Sequence, residues 1–84
     1  MTTILYFAWV RERIGTSAER IDVPASVVTV ADLIDLLGDR SAGHAAAFAD
    51  RDRLRVAIDQ QFAEFGAPVA GAREIAIFPP VTGG

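Results

Sequence analysis

One stretch of this chain combines large apolar side chains at helical spacing, Val30, Leu33, Ile34 and Leu37, with a marked helix start. Most of the other large apolar residues fall in runs of strand length, so the strands must share this one helix as the cover for a sheet face. Thr29-Val30-Ala31-Asp32 has the spacing of a capping box, and Val28 with Leu33 can staple the turn. Gly38 is placed to be the first residue past the last turn.

The flanking segments read as strands. Ile4 to Val10 is β-branched and aromatic, ended by Arg11-Glu12-Arg13 and Gly15. Alternation puts Ile4, Tyr6, Ala8 and Val10 on one face and Leu5, Phe7 and Trp9 on the other. Glu19 to Val23 alternates polar and apolar before Pro24, as a half-buried antiparallel partner would. Arg53 to Ile58 is a third strand, Asp59-Gln60 a turn, Gln61 to Phe65 a short partner strand, Gly66 to Ala72 a loop, and Glu74 to Phe78 the last strand. Ser41 to Asp52, Ala-rich with one Phe48, is either a short helix or an irregular crossover. This order is too short for a doubly wound sheet; a mixed sheet curled on one main helix, the α+β ubiquitin-like β-grasp, fits it best. The expected division is a domain over 1–79 and a tail over 80–84.

Setting the last strand beside the first groups Leu5, Phe7 and Phe78 on the uncovered face, with Phe62 a further candidate. Two outcomes are open: a protein interface, or burial beneath the Ser41 to Asp52 segment.

The 84 residues, 51% hydrophobic, suffice for one core. A net charge of −3 without a basic run argues against nucleic acid or anionic lipid as the main partner. Thr2 to Val10 lacks a basic flank and is far below the roughly 20 residues that span a bilayer, so no membrane segment is expected. The chain has no Cys, hence no disulfide or thiolate site, which is compatible with a cytoplasmic setting. All eight basic residues are Arg, so no side-chain amine is available for linking copies to one another. His44 has no acid beside it in the sequence and reads as a bystander, and no metal site is expected. Asp32, Asp35 and Asp39 read as capping and solvated groups. Arg11, Glu12 and Arg13 read as a strand terminus with surface ion pairs, of which Arg11 or Glu12 could dock a partner. Nothing here makes a complete catalytic set.

The strongest functional signal is the ending. Pro79 and Pro80 fix φ and keep the preceding residue extended, so Phe78-Pro79-Pro80 leaves the domain as a directed stalk. Residues 80–84 reach roughly 17 Å at about 3.4 Å per residue. Gly83 and Gly84 lack a Cβ and can thread a slot that excludes other residues.

Phe7-Ala8-Trp9-Val10-Arg11-Glu12 and Phe78-Pro79-Pro80-Val81-Thr82-Gly83-Gly84 resemble the small subunit of molybdopterin synthase. The similarity extends to Thr29-Val30-Ala31-Asp32-Leu33 and the Asp59-Gln60 turn. The family often has Asn where Asp59 stands and Gly-Asp-Glu where this chain has Gly71-Ala72-Arg73-Glu74; both departures lie in loops. The resemblance implies a sulfur carrier. An E1-like enzyme would use ATP to adenylate Gly84, a persulfide donor would convert it to a thiocarboxylate, and Pro79, Pro80, Val81, Thr82 and Gly83 would thread into the large synthase subunit. There the sulfur would go to cyclic pyranopterin monophosphate, on catalytic side chains belonging to the large subunit. No cofactor would be bound by this chain, and the assembly would hold two small and two large subunits. Phe7, Phe62 and Phe78, with Arg11, would be the partner contacts. The alternatives are a β-grasp carrier serving thiamine or tRNA thiolation, a ubiquitin-like protein modifier, and a plain interaction module.

Overall fold

The computed structural model describes residues 1–80. In chain order they form β1 (Thr2–Tyr6), α1 (Ala8–Ile14), β2 (Ala18–Ile21), α2 (Val30–Gly38), α3 (Ala42–Ala47), a 3-10 turn (Arg51–Arg53), β3 (Arg55–Ile58), β4 (Gln61–Ala63) and β5 (Glu74–Phe78). The sheet order is β2-β1-β5-β3-β4, with β1 and β5 parallel and the other pairs antiparallel. This mixed five-stranded sheet packed on one main helix is a ubiquitin-like β-grasp, in the α+β class.

The core lies between one sheet face and the helices. Ile4, Tyr6, Val56, Ile75 and Ile77 project from the sheet onto Val30, Leu33, Ile34 and Leu37 of α2, and all are buried. The capping box forms as the spacing requires: Asp32 N–H donates to Thr29 Oγ1 at 3.2 Å, and Thr29 N–H donates to Asp32 Oδ2 at 3.1 Å. A third bond, from Val28 N–H at 3.1 Å, also reaches Asp32 Oδ2. The backbone donors of Thr29 and Val28 together hold the Asp32 carboxyl below the usual Asp range. Val28 itself is exposed and does not close a staple onto buried Leu33.

The largest departure from the sequence reading is at β1, which stops at Tyr6. Ala8 takes φ +54°, a conformation rare outside glycine, and turns the chain out of the sheet into α1. Val10 is buried and Ile14 partly so, an i, i+4 pair that a helix sets on one face; this packing overrides the β preference of Trp9 and Val10. Gly15, at φ +95°, ends α1 by donating its N–H to the Arg11 carbonyl. Ala8, expected on the covered face, is therefore exposed. Arg11, Glu12 and Arg13 are helical, and among the described residues none has an ion-pair partner within 4.0 Å.

Smaller corrections are of length. β2 stops at Ile21, β3 starts at Arg55 because Arg51–Arg53 is a 3-10 turn, and β4 stops at Ala63. Gly38 lies inside the last turn of α2, with Asp39 as the cap in ordinary right-handed geometry. The 41–52 segment begins with α3, which Ser41 caps by accepting from His44 N–H at 3.1 Å. The Asp59-Gln60 turn has φ +49° and +73°, as a two-residue hairpin with the twist of its strands needs.

Candidate functional site

The uncovered sheet face carries the candidate site. Registers place Leu5 opposite Ala76, Ala76 opposite Ala57 and Ala57 opposite Phe62, so one rung crosses four strands. The two alanines form a low floor between larger apolar side chains. Phe78 lies two residues beyond Ala76 on the same face, and its ring is 6.0 Å from that of Phe62. Phe62 is 84% exposed and Phe7 46%, so neither lies beneath the 41–52 segment. Instead α3 packs on α1 and α2, on the helix side of the sheet.

The tail root adjoins this face. Phe7 N–H donates to the Ile77 carbonyl at 3.3 Å, which sets Phe7 beside the end of β5. Arg55 is opposite Phe78 on the other side. Pro79 and Pro80 follow directly, both half-buried. Val81, Thr82, Gly83 and Gly84 lie outside the described residues. Arg11 is exposed on α1; its N–H donates to the Phe7 carbonyl at 3.4 Å, and its side chain makes no hydrogen bond or ion pair with the phenylalanine-bearing strands among the described residues.

A polar cluster lies on the helix side. Glu19 Oε2 accepts from the Tyr6 hydroxyl at 2.7 Å and lies 2.9 Å from His44 Nε2, with Arg40 Nε at 4.0 Å. Ser41 Oγ is 2.7 Å from His44 Nδ1. Because Ser41 Oγ accepts from His44 N–H, its own proton is free for Nδ1, and the neutral ring then donates from Nε2 to Glu19. Burial pushes the Glu19 carboxyl up, but the hydrogen bonds from Tyr6 and His44 and the nearby Arg40 charge outweigh it, leaving Glu19 below its usual range. Burial, then the bond to Glu19, raises the Tyr6 hydroxyl. His44 is thus no bystander. It pins α3 to β1 and β2, although Glu19 is 25 residues away in sequence.

A further cluster joins α1 to the 3-10 turn. The guanidinium carbons of Arg13 and Arg53 lie 4.9 and 5.2 Å from the centre of the Trp9 ring. Among the described residues no group of three metal-ligating side chains occurs, and no helix is long and apolar enough to cross a membrane.

The ThiS family profile matches residues 4–84. The chain belongs to the ThiS family. It is 39% identical to the molybdopterin synthase sulfur carrier subunit of Escherichia coli across 100% of both chains, and 36% identical to that of Haemophilus influenzae, again across 100% of both. Its fold matches the crystal structure of small archaeal modifier protein 1 from Haloferax volcanii with a TM-score of 0.71 and 29% identity, covering 95% of this chain and 97% of the other.

In this ThiS-family chain the sequence reading had grouped Leu5, Phe7, Phe62 and Phe78, and it missed two features. The Glu19–His44 contact has no local signature. The Trp9 cluster was hidden by reading α1 as strand, though Val10 and Ile14 carried the helical spacing that would have exposed it.

Proposed function

We propose that this chain is the sulfur carrier of a molybdopterin synthase, with Gly84 the site of chemistry and the apolar sheet face the docking surface. The observation that carries the reading is the root of the tail: Phe78-Pro79-Pro80 leaves the edge of an exposed apolar face, in a chain whose whole length aligns with a sulfur carrier subunit. A partner that grips Phe7, Phe62 and Phe78 holds the stalk in one direction, and Arg11 on α1 is available at its margin.

The chemistry follows from the terminal group. An α-carboxylate with a pKa of about 3.5 is ionised at neutral pH and is a poor electrophile. Adenylation by an E1-like enzyme with ATP releases pyrophosphate and turns one carboxylate oxygen into part of a leaving group. The terminal sulfur of a persulfide donor displaces AMP. Once a further thiol cuts the S–S bond, that sulfur stays on Gly84 as a thiocarboxylate. Pro79, Pro80, Val81, Thr82 and Gly83 then thread it into the large subunit, where cyclic pyranopterin monophosphate receives it away from water. Two rounds supply the two sulfurs of the dithiolene. The assembly is a heterotetramer in the cytoplasm, and this chain supplies the cargo while its partner supplies the catalytic side chains.

The similarity to a small archaeal modifier protein supports a second reading, in which Gly84 forms isopeptide bonds with lysines of target proteins. Deleting Gly84, or adding one residue after it, discriminates carrier from plain module. The carrier reading expects sulfur transfer to the large subunit to vanish with the melting temperature nearly unchanged. Transfer at the normal rate by either variant refutes it, and adducts of target size after activation favour the modifier.

A further inference from the structure

We propose that Trp9, Arg13 and Arg53 form a carboxylate-recognition site for an acidic segment of the large subunit, next to the point where the tail enters it. This rests on the sulfur-carrier reading, since the partner is the protein that takes the tail.

The position follows from the strand registers. β5 lies between β1 and β3, with Ile77 opposite Tyr6 and Phe78 opposite Arg55. Trp9 comes three residues after Tyr6, in the first turn of α1, and Arg53 comes two residues before Arg55. The Trp9–Arg53 contact therefore joins the segments that flank the C-terminal end of β5, from which Pro79 and Pro80 depart. Any partner that encloses the tail meets this contact.

The chemistry is unbalanced in the free chain. Two guanidiniums rest on one indole ring, and among the described residues neither has a carboxylate within 4.0 Å. Arg13 makes one long hydrogen bond, 3.5 Å to the Ala46 carbonyl, and the Arg53 guanidinium makes none among the described residues. Among nearby acids, Asp35 pairs with Arg51 and Asp50 Oδ1 accepts from Asp52 N–H at 3.2 Å, while the Glu12 and Asp52 carboxylates, each next in sequence to one of the arginines, pair with neither within 4.0 Å. Stacking on Trp9 fixes the planes of two otherwise mobile side chains and leaves their N–H edges toward solvent, which lowers the ordering cost when an anion binds. A carboxylate is the fitting anion because it matches the planar fork and relieves the repulsion between the two cations. A nucleic acid would have to approach a chain of net charge −3.

The test measures association of the purified large subunit with the unmodified chain, the double variant R13E/R53E and the variant Trp9→Leu, by surface plasmon resonance from 50 to 500 mM NaCl, with melting curves for each. We expect R13E/R53E to melt like the parent, to associate about tenfold or more slowly at low salt, and to lose most of the salt dependence. Trp9→Leu keeps both charges and loses the stacking, so its association rate holds while its dissociation quickens. Unchanged rates and salt slope in R13E/R53E overturn the site while leaving the carrier reading intact. Failure of the unmodified chain to bind the large subunit overturns both. If the parent instead binds a single-stranded oligonucleotide, and R13E/R53E does not, the site recognises phosphate and the assignment to protein carboxylates is wrong.

Discussion

Phe62→Ala separates folding from docking more cleanly than any other change on the sheet face. Phe62 sits on the edge strand β4 and is 84% exposed, so its main contribution to the free domain is the contact with Phe78, 6.0 Å away. An aromatic pair of this kind contributes about 0.5–1.5 kcal/mol. Truncation should therefore lower the melting temperature by roughly 2–12 °C in a domain of this size. Docking is another matter. A Phe side chain presents on the order of 200 Å². Covering the exposed share at about 25 cal/mol per Å² gives an upper limit near 4 kcal/mol. Allowing for imperfect burial, the variant should lose about 2–4 kcal/mol of affinity for the large subunit, roughly a 30- to 1,000-fold rise in Kd. Calorimetric titration with the large subunit, beside a thermal melt of the free chain, measures both. An affinity within threefold of the parent would show that the exposed face is not the docking surface, and a melting temperature lowered by about 15 °C or more would show that Phe62 supports the fold.

Three further changes probe the scaffold. A Cβ added at Gly43 would sit 2.5 Å from the Arg13 carbonyl oxygen, so Gly43→Ala must push α3 from α1 and cost about 1–3 kcal/mol in denaturant titration. Thr29→Ala removes half of the capping box and should cost about 1 kcal/mol by the same measurement. Glu19 has its folded pKa lowered, so its charged form stabilises the fold above the ordinary Glu value, and that contribution fades as pH falls through the lowered one. The melting-temperature gap between parent and Glu19→Gln should therefore be steady from pH 6 to 8 and shrink below about pH 4.3. A gap that widens in acid would reverse the sign assigned to Glu19.

The parts of the fold visible in the sequence were those set by local rules. Thr29 and Asp32 announced the start of α2, Asp59-Gln60 the hairpin turn, and the run from Glu74 to Phe78 the last strand with its observed ends. Phe78 and Phe62 could be grouped because strand alternation fixes which side chains share a face. What was illegible depended on contacts distant in sequence. Trp9 and Val10 favour a strand by composition, yet α1 forms because Val10 and Ile14 find the core and Gly43 lets α3 approach the Arg13 backbone. His44 looked isolated because its partners Glu19 and Tyr6 reach it only after β1 and β2 have paired. The stacking of Arg53 on Trp9 likewise joins segments that lie together only once β5 has paired between β1, which precedes Trp9, and β3, which follows Arg53.

The central claim is that Gly84 carries sulfur, and intact mass spectrometry tests it most directly. Incubated with an E1-like activating enzyme, ATP and a persulfide donor, the chain should gain about 16 Da as one carboxylate oxygen is replaced by sulfur, with the increment confined to the C-terminal peptide. A chain that forms its adenylate under these conditions yet never gains that mass would contradict the account.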